Sequence, residues 1–92
     1  MKLGKIYKGV SVDEFHVKRE GGSFTVRFEF SSSNESVRAT LFGVRDPENL
    51  CEILNADRLW VEKEENSQAG FGVYTLGVSH EYFTEIVFDA LS

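Results

Sequence analysis

From Phe24 to Phe30 the chain reads Phe24-Thr25-Val26-Arg27-Phe28-Glu29-Phe30, with apolar and polar side chains alternating without exception. A side-chain period of two belongs to a β-strand, where neighbouring residues point to opposite faces. Phe24, Val26, Phe28 and Phe30 share one face, and Thr25, Arg27 and Glu29 share the other. A strand with one dry face and one wet face belongs to an antiparallel sheet that is covered on one side only. That constrains the architecture and leaves the chemistry open.

The neighbouring segments extend the same pattern. Upstream, Val10 and Val12 are in phase, whereas Phe15 and Val17 take the opposite phase; a bulge or turn near Asp13-Glu14 reconciles them. Gly21-Gly22 suits a two-residue hairpin turn, because glycine accepts positive φ. Ser31-Ser32-Ser33-Asn34-Glu35-Ser36 reads as a loop. Residues 37–44 read as a strand with Val37, Ala39 and Leu41 on one face and Phe42 and Val44 on the other, so burial on both sides is expected near its end.

Asp46-Pro47-Glu48 reads as a helix start. Asp46 can accept a bond from an orphan backbone N–H, Pro47 loses nothing at the first helical position, and Glu48 suits the positive helix end. Leu50, Ile53 and Leu54 follow as one apolar stripe, predicting a short helix over about 47–55 that must dock on the sheet.

Residues 58–65 alternate again. Leu59 and Val61 point inward, and Arg58, Trp60, Glu62 and Glu64 share the opposite face. Residues 66–70 read as a turn. Residues 71–78 read as a central strand, apolar on both faces, and Ser79-His80-Glu81 as a second turn. Residues 82–90 read as the last strand, with Ile86, Phe88 and Ala90 opposed to Phe83, Glu85, Val87 and Asp89. The expected fold class is α+β, mostly β. It is an antiparallel twisted sheet or half-open barrel of five to seven strands with one short helix, in a single domain over residues 1–92. A chain of this size buries roughly 60–65% of its unfolded surface, and eight Phe supply much of that core.

Charge and cysteine usage narrow the setting. Residues 1–45 carry eight Lys/Arg and five Asp/Glu; residues 46–92 carry two and ten. An acidic second half opposes binding to a phosphate backbone, which needs clustered positive charge, and suits a basic partner. The plainer expectation is that the two halves pair as neighbouring strands and neutralise each other. Cys51 is the only cysteine, so no intrachain disulfide forms and nothing points to an oxidising compartment. The N-terminus is basic without an apolar stretch behind it, and no run approaches the roughly 18 apolar residues of a membrane span. A cytoplasmic protein without a signal peptide, bound to neither nucleic acid nor membrane, is expected.

No catalytic or metal motif emerges. Cys51 falls in the first turn of the expected helix beside Leu50 and Ile53, and reads as a packing residue without a partner base. His16 points outward between Glu14 and Lys18. Ser79-His80-Glu81 names the members of a catalytic triad, but adjacent residues cannot adopt its geometry. One cysteine and two distant histidines give no zinc spacing. Asp57, Glu62, Glu64 and Glu65 lack the pattern of a calcium loop, and Gly70-Phe71-Gly72 precedes a strand rather than a phosphate-binding helix. The expectation is a protein that is not an enzyme and holds no cofactor.

Trp60 stands apart. Alternation places it on the polar face with Arg58, Glu62 and Glu64, where an uncovered indole is costly. Either the helix or a loop covers it, or the face meets a partner, because tryptophan is enriched among interface hot spots. Tyr74, Phe83 and Phe42 extend such a patch if their strands are neighbours. The candidate partner-binding residues are Trp60, Arg58, Glu62, Glu64 and Tyr74.

Thr25-Val26-Arg27-Phe28-Glu29-Phe30 followed by Val37-Arg38-Ala39-Thr40-Leu41-Phe42-Gly43-Val44-Arg45-Asp46 resembles the small β-rich immunity proteins of bacterial polymorphic toxin systems. The similar part covers residues 24–46, consists of β patterning, and transfers no functional residue. The resemblance implies a cytosolic inhibitor that binds one cognate toxin; an acidic inhibitor of a basic nuclease fits the charge. The competing expectation is a homodimeric or small-ligand-binding β domain, in which the apolar surplus of residues 71–78 and 82–90 forms a dimer interface or lines a pocket.

Overall fold

A computed structural model describes residues 1–64 and 73–92. Its described strands are β1 (Tyr7–Lys8), β2 (Ser11–Glu20), β3 (Ser23–Ser32), β4 (Glu35–Val44), β5 (Arg58–Glu64), β6 (Val73–Ser79), β7 (Phe83–Phe88) and β8 (Ala90–Leu91), with a 3₁₀ helix at Leu50–Asn55 between β4 and β5. They form two four-stranded antiparallel sheets, ordered β1-β5-β6-β7 and β2-β3-β4-β8, with no closed barrel. The mostly antiparallel β character of the sequence is realised, but in two facing sheets instead of one. The expected turn at 66–70 and the start of the strand expected from Phe71 lie outside the described residues.

The two sheets bury their inner faces against each other in a single core, as in a β-sandwich. Val26, Phe28 and Phe30 of β3 meet Leu59 and Val61 of β5, Leu76 and Val78 of β6, and Ile86 and Phe88 of β7 in that core. Aromatic rings dominate its centre. Phe30 packs edge-on against Tyr7 at 5.3 Å and stacks on Phe28 at 5.9 Å. Fully burying one such ring contributes about 1.5–3 kcal/mol. Tyr7 lies on β1, a strand of two residues that carries no readable alternation, yet its side chain is buried. Each sheet ends on a short strand from the far end of the chain. β1 pairs with β5 (Tyr7 opposite Leu59), and β8 pairs with β4 (Leu91 opposite Leu41).

Two bulges set the phase of the inner face. The β2–β3 register shifts between Val12 and Glu14, so Asp13 is the extra residue and both Val12 and Phe15 turn toward the core. The second lies in β4, where Val26 pairs with Leu41 but Phe24 pairs with Val44. Gly43 takes a φ of +74°, a conformation that glycine adopts without strain. This bulge returns Val44 to the core and leaves Phe42 exposed, correcting the expectation that they share a face.

Both hairpins of the second sheet turn in two residues. Gly21 supplies the positive φ between Glu20 and Ser23. The serine-rich segment is not an open loop: β3 runs to Ser32, β4 starts at Glu35, and Ser33 and Asn34 alone make the turn, both at positive φ. That sign at both central positions is the one that matches strand twist.

The helix differs most from expectation. Asp46 Oδ1 does accept from the Glu48 N–H at 3.1 Å, but this closes a local turn, and the helix begins at Leu50 with 3₁₀ geometry. At three residues per turn, Leu50 and Ile53 eclipse each other and both bury, whereas Leu54 rotates off the stripe and is exposed. Cys51 is exposed as well and is not the packing residue expected.

The chain end is also not one strand. β7 stops at Phe88, the Asp89 N–H donates to the Phe42 carbonyl at 2.8 Å, and β8 joins the opposite sheet. Ala90 is exposed, not in line with Ile86 and Phe88.

Candidate functional site

The outer face of the β1-β5-β6-β7 sheet carries the candidate site. Register fixes which side chains share it. Trp60 pairs with Gly77, which pairs with Glu85; Glu62 pairs with Thr75, which pairs with Val87; Arg58 pairs with Ser79, which pairs with Phe83. Trp60 therefore projects from β5 beside a residue of β6 that has no side chain. A Cβ at position 77 would collide with the Trp60 indole. The indole lies across Gly77 and stacks on Phe83 of β7, ring centroids 5.5 Å apart and planes 16° apart. Phe83 is 54% exposed and Val87 55%.

Among the described residues, Trp60 takes its cover from its own sheet. It is half-buried by Phe83 and by the space over Gly77, and the stacked pair stays open to solvent on its outer side. Around it stand Glu62, Glu64 and Glu85, with Arg58 as the cation. Tyr74 does not join this cluster. It pairs with Lys63, faces inward and stacks on Phe88 at 5.4 Å, with Lys63 Nζ over its ring at 5.6 Å. Phe42 does not join either, because it belongs to the other sheet. Of the aromatic residues weighed from sequence, only Phe83 extends the Trp60 patch.

The apolar surplus of β6 and β7 is largely resolved by this geometry. Leu76, Val78, Ile86 and Phe88 are core, and Gly77 admits the indole. Val87 remains as exposed apolar surface beside the aromatic pair.

Charge is balanced within each sheet and not between them. β2, β3 and β4 carry four Lys/Arg and five Asp/Glu; β1, β5, β6 and β7 carry three of each. Apart from the β1–β5 and β4–β8 pairings, strands pair within their own half of the chain, and among the described residues the halves meet in charge at the Arg45–Asp89 pair, 3.4 Å apart. Much of the acidic excess sits between strands, at Asp46, Glu48, Glu52, Asp57, Glu81 and Asp89.

A second cluster joins residues that are far apart in sequence. His80 Nε2 donates to Glu52 Oε2 at 2.5 Å, and the Tyr82 hydroxyl donates to Glu52 Oε1 at 2.9 Å. The His80 and Tyr82 rings meet at 4.5 Å. The bond from His80, then that from Tyr82, holds the Glu52 carboxyl below the usual carboxylate range. The same bond to Glu52 raises the Tyr82 hydroxyl above its ordinary value. The cluster ties the 3₁₀ helix to the β6–β7 turn. Twenty-eight residues separate Glu52 from His80, so no local motif could reveal it. His16 points outward as expected, 3.9 Å from Glu14. Among the described residues no group of three or more His, Cys, Asp or Glu is placed to hold a metal ion, and no helix is long and apolar enough to cross a membrane.

The fold and this face together define a small two-sheet β protein with one aromatic, acid-rimmed outer surface. Compared with known families, curated proteins and solved structures, the chain matches none.

Proposed function

We propose that the protein is an interaction domain without catalytic activity that docks a protein partner on the outer face of the β1-β5-β6-β7 sheet. The observation that carries this reading is the Trp60–Phe83 stack, preorganised over Gly77 and open on its outer side. Rigid aromatic anchors that are already in place lose little entropy on binding and recur as interface hot spots. Glu62, Glu64 and Glu85 around the stack, and a net charge of −5, favour a basic partner by steering the encounter. An immunity-type inhibitor of a basic toxin in the cytoplasm is the biological setting that fits this chemistry and the resemblance of residues 24–46.

The test is affinity capture with wild-type protein, W60D, F83D and the opposite-face control F42D. The reading expects one basic protein recovered by wild type and F42D but lost by about 100-fold in affinity with W60D or F83D, the loss of one hot spot. Trp60 is the only tryptophan, so its emission should shift to the blue as the recovered partner is titrated in. A partner that binds W60D and wild type equally overturns the reading.

A further inference from the structure

We propose that two copies of this chain associate by antiparallel pairing of β2 with β2 about a two-fold axis at His16. β2 is an edge strand of ten residues, longer than the usual strand of about 5–6, and its outer backbone edge has no neighbouring strand among the described residues. The 3₁₀ helix packs against β2, yet every β2 residue except Val12 and Phe15 remains exposed.

Proteins commonly protect such an edge with charge. Here the order of the charges does the reverse. Asp13 and Glu14 precede His16, and Lys18 and Arg19 follow it. Antiparallel pairing about His16 sets Glu14 opposite the second copy's Lys18, and Lys18 opposite its Glu14. Phe15 then meets the second copy's Val17, a residue 44% exposed in the single chain. Lys18 forms no ion pair among the described residues and is free for this contact.

The alternation also selects the register. A two-fold pairing that extends the sheet must set residues of the same face opposite each other, so the neighbouring registers centre on Phe15 or Val17. Centring on Val17 opposes Glu14 to the second copy's Glu20. Centring on Phe15 leaves Glu14 opposite His16 and Lys18 opposite Val12. Only the His16 register forms both Glu–Lys pairs. The result is one continuous eight-stranded sheet across two copies. This surface lies on the other sheet from Trp60, so the inference stands apart from the reading of that face.

Sedimentation of wild type, K18E and the E14K/K18E double variant over a concentration series tests it. The expected result is a concentration-dependent dimer, weakened about tenfold by K18E, where two attractive pairs become repulsive, and restored by the double swap. Cross-linking fixes the register. In a C51S background, H16C should form an intermolecular disulfide on oxidation, and E14C mixed with K18C should link where neither links alone. A monomer at every concentration overturns the inference, as does a dimer indifferent to K18E. A dimer abolished by W60D and not by K18E also overturns it, assigning association to the aromatic face.

Discussion

Gly77 shows how one missing side chain can build a surface. Without a Cβ there, the Trp60 indole lies flat across β6 and reaches Phe83. Adding one methyl forces the indole outward or displaces the strand, because the obstacle is a rigid ring. G77A is expected to cost about 1–3 kcal/mol, the usual range for overpacking. Its Trp60 emission should move to the red as the ring gains solvent, while far-ultraviolet dichroism stays native-like. An unshifted spectrum with unchanged stability would show that β6 yields without cost. In the sequence, Trp60 is legible as an anomaly, a large ring in a polar phase. Its partner is not, because the Trp60–Phe83 contact crosses a third strand, and pairing across strands depends on a register that no local pattern states.

Among the elements, the 3₁₀ helix is held from outside by Glu52. Six residues of 3₁₀ geometry have poor internal hydrogen bonds, so the bonds from His80 and Tyr82 and the burial of Leu50 and Ile53 fix its place. Because folding lowers the Glu52 carboxyl below its unfolded value, its contribution is fully present above the ordinary carboxylate range. It is lost as pH falls through the folded value. Thermal melts of wild type and E52Q should differ by a constant amount at neutral pH and converge in acid, once pH has fallen below the ordinary carboxylate range. A gap that widens toward acid would remove Glu52 as the cause.

The same scale shows what makes an element readable. The Gly21-Gly22 hairpin and the bulge near Asp13 are legible because a turn dipeptide and a phase flip are both local signals. The bulge at Gly43 is masked, since Phe42 and Val44 are both apolar and either could be core. Asp46-Pro47-Glu48 reads as a helix start, but the helix begins only at Leu50. The spacing of Leu50, Ile53 and Leu54 does not distinguish 3.6 residues per turn from three, and only the exposure of Leu54 decides it.

At the scale of the whole molecule, the last residues hold an edge closed. The Thr40 N–H donates to the Ser92 carbonyl and the Ser92 N–H donates to the Thr40 carbonyl, both at 2.9 Å, beside the Leu41–Leu91 pair. A variant lacking residues 89–92 loses these bonds, the Asp89–Phe42 backbone bond and the Leu91 contact. At about 1 kcal/mol per hydrogen bond, denaturant unfolding should show a loss of about 2–4 kcal/mol. It also exposes β4 as a second long edge, so light scattering on heating should rise earlier than in wild type. Equal stability would mean that β8 is ornamental to the sheet. Nothing in residues 82–90 announces the change of sheet at Asp89, because a strand that switches layers keeps its alternation almost to the break.

The short strands at the two ends of the chain have a mechanical meaning. Residues 7–8 complete the sheet that is otherwise made by the second half of the chain, and residues 90–91 complete the sheet made by the first half. Each half holds the closing piece of the other, like two clasped hands. Cutting the connection at residues 46–49 would separate the polypeptide without releasing the parts. Fragments 1–49 and 50–92 would each carry an unfinished sheet and a bare half of the core, and each would find its completion only in the other.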